Sequence, residues 1–293
     1  MLRKMIEGGE FIVAPGVYDG FSAMVAERYP FKAVYMGGYC VAASRWGHPD
    51  AGLVGLSEMI DALRVIRRVC TKPVIADADT GYGGLLNVQH TVREFEDAGA
   101  AAIHIEDQEM PKKCGHTKGK RVIPADEMAA KVAVAVESRR SDDFMIIART
   151  DSRQMYDLDE AIRRSILYKE AGADVLFIDA PQSLEEVARI GKELPGPLML
   201  NMVPQKGFVT PNAAAENIEK MGFAIAHYPG LLATPAMAAM ERSIEHFLGE
   251  GLMDSTAMPK TNPHELVGFP AVWADEERWQ QKFGDAPVPE PAE

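Results

Sequence analysis

Eight short apolar or β-branched runs, each followed by a segment with helical spacing, constrain this 293-residue chain more than any other feature. The runs lie at 11–14, 33–36, 73–76, 101–105, 144–148, 174–178, 197–200 and 223–226. Between them, Met59, Leu63, Ile66 and Cys70 recur at i, i+4, i+7 and i+11, and Val88, Val92 and Phe95 at i, i+4 and i+7. That is the stripe a helix lays on a sheet. Strands alternating with such helices pair in parallel, because a crossover helix is what returns the chain to the same edge. Gly99, Gly172 and Gly222 each stand where a helix must stop and turn into the next run, a position that calls for the left-handed backbone glycine accepts freely. Eight units whose strands are nearly all apolar are better closed into a (β/α)8 barrel, the TIM-barrel architecture of the α/β class, than left as an open doubly wound sheet with two bare edges. No GxGxxG or GxxxxGK[ST] stands at a strand–helix junction, which argues against a nucleotide-binding version of the open sheet.

Composition sets the class of partner. With 47% hydrophobic residues the chain can bury a large core, and a formal charge of −12 disfavours a phosphate backbone, so no nucleic-acid partner is expected. No run approaches the ~18 apolar residues of a membrane span, and the first residues lack the apolar core of a signal peptide, so a cytoplasmic protein without membrane contact is expected. Cys40, Cys70 and Cys114 form no CxxC pair and are read singly as thiols. We expect a catalytic barrel over 1–250, a helical extension over 251–283 carrying Trp273 and Trp279, and a disordered tail over 284–293, which is rich in Pro, Ala and Glu.

In such a barrel the working face is the carboxyl end of the strands. There the runs lead into Gly37-Gly38-Tyr39, Asp77-Ala78-Asp79, Glu106-Asp107, Arg149-Thr150-Asp151, Asp179, Asn201 and His227-Tyr228. Asp77, Asp79 and Glu106 repel one another when ionised in a shared cleft, which either raises a pKa or recruits a cation. Hard carboxylate oxygens without a neighbouring His or thiolate suit Mg²⁺ or Mn²⁺. Arg149 offers a planar fork for a substrate carboxylate, so arginine and metal together would hold an α-hydroxy or α-keto acid; the competing reading is a structural ion pair with Asp77 or Asp151.

The segment 111–121, Pro-Lys-Lys-Cys-Gly-His-Thr-Lys-Gly-Lys-Arg, places five cations around Cys114 and His116 on a glycine-containing loop. Such surroundings lower a thiol's pKa and attract anions. Cys40 and Cys70 read as inert packing, whereas Cys114 reads as chemical, and beside an enolate a proton donor is needed more than a nucleophile.

These residues resemble the isocitrate lyase/phosphoenolpyruvate mutase superfamily. The resemblance runs from Ala14-Pro15-Gly16-Val17-Tyr18-Asp19 to the long C-terminal helix, and Lys112-Lys113-Cys114-Gly115-His116 resembles the signature of its lyase branch, whose short members have a similar length. It implies a barrel that exchanges its last helix with a neighbour, in a homotetramer built as a dimer of dimers. It also implies Mg²⁺ bound through Asp77 and Asp79, with Asp50 and Glu106 acting directly or through water. Backbone amides of Gly37, Gly38 and Tyr39 would hold a substrate carboxylate. Arg149 would clamp oxyanions, while Gly115, Asn201 and Asp179, the last where many members have glutamate, would contact the substrate. Cys114 would act as acid and base on a gating loop, tuned by His116 and Lys113, and Tyr35 would take the first proton.

The implied reaction cleaves the carbon–carbon bond beside an alkoxide in a small dicarboxylate or keto acid. Gly37 stands where the family has serine. The segment 201–207 lacks the usual glutamate, and an arginine near Thr234 that would hold a third carboxylate is missing. A substituted malate is therefore expected over a tricarboxylate of the 2-methylisocitrate kind. Hydrolysis or decarboxylation of oxaloacetate is the nearby alternative, and a non-catalytic binding or assembly protein the alternative from another class.

Overall fold

The computed structural model describes residues 1–203 and 210–284. Eight strands, β1 (Ile12–Val17), β2 (Val34–Met36), β3 (Val74–Asp77), β4 (Ala102–Glu106), β5 (Met145–Thr150), β6 (Val175–Ile178), β7 (Leu198–Asn201) and β8 (Ile225–Tyr228), form one closed barrel. Every neighbouring pair is parallel, and β8 pairs with β1 through Ile12↔Ile225 and Ala14↔His227. Closure excludes the open sheet.

Six of the eight strands run one to three residues beyond the apolar runs at their carboxyl ends, while β2 and β6 end with theirs. The run was read as ending with its last apolar residue, yet the ladder continues through Asp77, Glu106, Arg149-Thr150, Asn201 and His227-Tyr228. Several polar residues assigned to loops are thus fixed on strands.

Side-chain parity then decides where they point, because alternate strand residues face the same side. The barrel interior is packed by Tyr35, Ile75, Ala102, Met145, Ile147, Val175, Phe177, Met199 and Ile225. Two residues on from this set stand Gly37, Asp77, Asn201 and His227, and continuing the same parity reaches Glu106, Arg149 and Asp179. The polar rim is the top layer of the interior itself. At the opposite end, the helix Leu2–Glu7 sinks Leu2 and Ile6 into that same interior cluster and stops the barrel from below.

A second, larger core lies between barrel and helices and contains Met59, Leu63, Ile66, Val88, Val92 and Phe95, as the periodicity predicts. Cys70 falls outside its expected helix, which ends at Val69, but is buried all the same. Gly99, Gly172 and Gly222 have φ of 89°, 104° and 93°, the left-handed turns expected of them.

The chain divides into two compact units, Met1–Ala238 and a second beginning at Ala239. The division falls inside the helix Ala233–Glu250. That helix has no buried residue. Trp273 and Trp279, on the helix Phe269–Phe283, are exposed. The tail expected over 284–293 lies, apart from Gly284, outside the described residues, as does most of the 201–207 segment. Among the described residues no helix is long and apolar enough to cross a membrane.

Candidate active site

A cavity of about 190 Å³ opens at the carboxyl end of the barrel, lined by Tyr35, Gly37, Gly38, Tyr39, Asp50, Asp77, Cys114, Gly115, His116, Arg149, Asp179 and Asn201. Asp79, Glu106 and Lys113 are absent from that lining. The first two lie behind it, buried in the charge network. The third turns away: Lys113 Nζ points outward to the Gly119 carbonyl at 3.3 Å, while its neighbour Lys112 is buried in the site.

Lys112 Nζ lies 2.5 Å from both Asp50 Oδ1 and Asp79 Oδ1. A buried ammonium is tolerable only among such partners, and four carboxylates, led by Asp79 and Glu106, hold its pKa well above the lysine range. Asp77 accepts from the backbone amides of Gly38 and Asp79, each at 3.0 Å. Burial opposes its ionisation, but His104, Lys112 and Arg149 hold its pKa below the usual range. The Gly38 amide, expected to receive a substrate carboxylate, is therefore already committed to Asp77.

Asp79 takes the left-handed backbone at φ 48°, which a non-glycine residue adopts at a cost of about 1–3 kcal/mol. Burial, reinforced by Asp77 and Asp50, pushes its pKa up to about 7 despite Lys112. Burial likewise drives Glu106 well above the carboxylate range. Neither Glu106 oxygen has a hydrogen-bond partner, nor does Asp79 Oδ1, whose contact with Lys112 is an ion pair without hydrogen-bond alignment.

Those orphaned buried oxygens allow a test for a cation. The donors at Asp50, Asp77, Asp79 and Glu106 are all carboxylate oxygens, the set a hard divalent ion prefers. Among the described residues no three His, Cys, Asp or Glu side chains are arranged to hold an ion by themselves. Mg²⁺ keeps several waters and binds through only one or two carboxylates, so its fit rests on the oxygen donors themselves. The residues fit the ion.

Arg149 realises the structural alternative while still lining the cavity. Nε and Nη2 donate to Asp151 at 2.9 and 3.0 Å, Nη2 also reaches Asp179 Oδ2 at 3.0 Å, and Nη1 lies 3.2 Å from Glu106 Oε2. The fork is locked against acids, and an incoming anion meets a guanidinium whose orientation is already fixed. Asp179 also accepts from Asn201 Nδ2 at 3.0 Å, leaving Asn201 Oδ1 buried without a donor.

Asp107 and Gln108, which follow Glu106 in the chain, hold the surrounding backbone. Asp107 accepts from Thr150 Oγ1, the Asp151 amide, Arg164 and Tyr168, which fixes the strand carrying Arg149. Gln108 clamps the Lys113 backbone with both ends of its amide, at 2.8 and 3.0 Å.

Burial shifts the pKa of both groups expected to transfer protons. Tyr35 donates to or accepts from His104 Nε2 at 2.9 Å, and burial, then Asp77, raises its pKa well above the phenol value. It is a poor base and a good hydrogen-bonding group. The thiol of Cys114 is pushed up to about 11, chiefly by burial, where the cationic loop was expected to lower it. Those cations are spent elsewhere: Lys112 on Asp50 and Asp79, Lys120 on Asp151, Arg121 on Glu109. A neutral thiol is a proton donor and not a resting nucleophile. His116 sits 4.0 Å from Asp179 and 3.2 Å from Thr210 Oγ1, and burial lowers its pKa. Cys40 and Cys70 are buried, with thiols pushed up to about 12 and 11.

Glycine is obligatory at two positions. A Cβ at residue 115 would overlap Asp179 Oδ2 and Arg149 Nη2, and one at residue 37 would lie 2.7 Å from the Tyr35 ring. The family serine at 37 would displace that ring. Residues missed in the sequence are Lys112, Lys120 and His104. A lysine beside an acid-lined cleft was the available signal, but it did not say which of five neighbours turns inward.

The family model for phosphoenolpyruvate phosphomutase matches residues 2–248. The 2,3-dimethylmalate lyase of Eubacterium barkeri is 44% identical over 272 residues, spanning 92% of this chain and 93% of that protein. The crystal structure of 2,3-dimethylmalate lyase, a PEP mutase/isocitrate lyase superfamily member, in a trigonal form superposes with a TM-score of 0.88 at 36% identity, over 98% of this chain and 97% of that one. Oxaloacetate acetylhydrolase in complex with 3,3-difluorooxalacetate superposes with a TM-score of 0.88 at 35% identity, over 97% of each chain.

Two outcomes test the site. Gly115→Ala should fold normally yet lose roughly 100-fold in kcat/KM, the scale of an ångström-sized misplacement; an unchanged rate would show that the loop does not need this contact. Iodoacetamide should label Cys114 slowly at neutral pH, the rate rising about tenfold per pH unit toward pH 11 as thiolate forms. A plateau below pH 8, read by peptide mass spectrometry, would contradict the raised pKa.

With the barrel, the carboxylate cluster and the Lys-Lys-Cys-Gly-His loop all in place, the chain belongs to the isocitrate lyase/phosphoenolpyruvate mutase superfamily, in its short-lyase branch, and is an enzyme of the oxo-acid lyase type.

Proposed function

We propose that the protein cleaves a substituted malate, a 2-hydroxy dicarboxylic acid, into an α-keto acid and a carboxylate through an enolate. The observation that carries this reading is a neutral thiol, Cys114, facing Arg149 and a buried carboxylate cluster across one cavity. The solved structure of a phosphonopyruvate hydrolase in complex with oxalate and Mg²⁺, 28% identical to this chain, supports a bound Mg²⁺ here. Asp50, Asp77, Asp79 and Glu106 would hold the ion, which supplies Lewis-acid stabilisation of the charge on the substrate's oxygens.

The chain's own residues divide the remaining work. Arg149, locked by Asp151 and Asp179, binds a carboxylate. Asn201 Oδ1 offers an unpartnered acceptor to a substrate hydroxyl. Tyr35, still protonated at neutral pH, orients an oxygen by hydrogen bonding. As the carbon–carbon bond breaks, the substrate's hydroxyl proton passes to a carboxylate lining the cavity, such as the ionised Asp77. The hydroxyl-bearing carbon becomes the carbonyl of the keto acid, and the electron pair of the broken bond passes into the other fragment as its enolate. Cys114 Sγ then delivers the proton that turns this enolate into the carboxylate product. The loop over the cavity excludes water and so protects the enolate.

Charge favours a dicarboxylate. The outer wall of the cavity is Val203, Pro229, Gly230, Ala233, Thr234 and Met237, which among the described residues supplies no cation for a third carboxylate and suits an alkyl group. The likeness to oxaloacetate acetylhydrolase supports a second reading, hydrolysis of oxaloacetate at the same site.

Purified protein with Mg²⁺ should release keto acid from 2-alkylmalates, stop with EDTA, and lose on the order of 10²-fold in kcat on Cys114→Ser, the usual weight of a general acid. Turnover of oxaloacetate alone would establish the second reading, and turnover indifferent to EDTA would defeat both.

We further infer that the helix Ala233–Glu250 packs on a second copy of this chain. Met240, Ile244, Phe247 and Leu248 fall at i, i+4, i+7 and i+8, one face of the helix, and are 53–78% exposed. Light scattering should give a multiple of 32.1 kDa for the wild type, with Ile244→Asp/Phe247→Asp reduced to a single chain. A monomeric wild type would overturn the inference.

A further inference from the structure

Lys120 is the second loop lysine that turns inward, and it is buried. Its ammonium donates to the carbonyl of Gly115, the residue after Cys114, and to Asp151 Oδ1 at 3.2 Å. Asp151 Oδ1 also receives Arg149 Nη2 at 3.0 Å. One carboxylate thus joins the loop's cation to the substrate-binding guanidinium. On the other side of Cys114, Lys112 ties the loop to Asp50 and Asp79, and the Cys114 amide donates to the Asp50 carbonyl at 3.0 Å. The thiol hangs between two lysine anchors.

The anchors differ in kind. Lys112 is buried among four acids that would be crowded without it. Lys120 instead grips a backbone carbonyl, so its effect is on the position of the loop. Gly115 has no Cβ and rests directly against Arg149 and Asp179, and any lift of its carbonyl opens that contact. A buried ammonium loses its two acceptors if the loop lifts, so closure and the Lys120–Asp151 pair form or break together.

We propose that Lys120 is a positioning residue that latches the Cys114 loop over the cavity by bridging the Gly115 carbonyl to Asp151, the carboxylate that fixes Arg149. This rests on the reading of Cys114 as the proton donor. It adds that closure is read out at Arg149: an anion bound there and the latched loop stabilise one another through Asp151.

Thiol labelling tests the latch without any substrate. At pH 8.5, iodoacetamide modification of Cys114 should be at least tenfold faster in Lys120→Met than in wild type, with Cys40 and Cys70 labelled no faster. Oxalate, used as a small dicarboxylate probe, should slow labelling in wild type and much less in Lys120→Met. Lys120→Arg, which keeps the charge, should return labelling to within threefold of wild type. In turnover of 2-alkylmalates, Lys120→Met should lower kcat about tenfold and change KM less than threefold.

Equal Cys114 labelling in wild type and Lys120→Met would overturn the proposal. So would a parallel rise at Cys40 and Cys70, which reports general loosening. If Lys120→Met does not fold, Lys120→Gln carries the same comparison. A labelling contrast without alkylmalate turnover would leave the latch standing and remove the lyase reading, whereas turnover with no contrast would do the reverse.

Discussion

Buried negative charge governs this molecule. Asp50, Asp77, Asp79, Glu106, Asp151 and Asp179 are packed at the barrel mouth against three buried cations, Lys112, Lys120 and Arg149. Six acids against three bases leave an excess that the low-dielectric interior does not tolerate. The excess is relieved locally by protonation, since burial lifts Glu106 and Asp79, or by a divalent ion. The acidity of the site and its fitness for Mg²⁺ are one property.

This arrangement depends on backbone that cannot shift. Asp77, Glu106, Arg149 and Asn201 lie within strands, and Asp179 directly follows one, so their spacing is set by the barrel ladder. Behind them Asp107 collects four donors and joins β4 to β5. Cys114, by contrast, is carried by a loop outside the strands. The division of labour is a rigid acid-and-arginine floor with a thiol supplied from above, which suits a reaction needing fixed charge stabilisation and a timed proton.

Much of this was legible in the amino-acid sequence, and the failures share one cause. Apolar runs and helix-ending glycines suffice to specify eight strands and their parallel order, because both are local. Asp77, Glu106 and Arg149 were identifiable because polar residues at the ends of apolar runs are conspicuous. Their place inside the barrel follows from parity along each strand, from Ile75 to Asp77 and from Ile147 to Arg149, once the strands are known to reach that far. The direction of the Cys114 pKa was not legible, since it depends on which acids across the fold neutralise the loop's lysines. Lys112 and Lys113 are adjacent and chemically alike, and only the Gln108 clamp on the backbone decides which one faces inward. The Leu2–Ile6 plug joins residues distant in the chain and leaves no periodic trace.

That plug has a kinetic meaning. Leu2 and Ile6 seal the amino end of a packed barrel, so among the described residues the cavity is reached from the carboxyl end, beneath the loop that carries Cys114. Under the proposed cleavage, two fragments would share that one passage and leave in turn, the one nearer the entrance first. The deeper fragment can act as a product inhibitor, because its exit and the next arrival compete for a single passage.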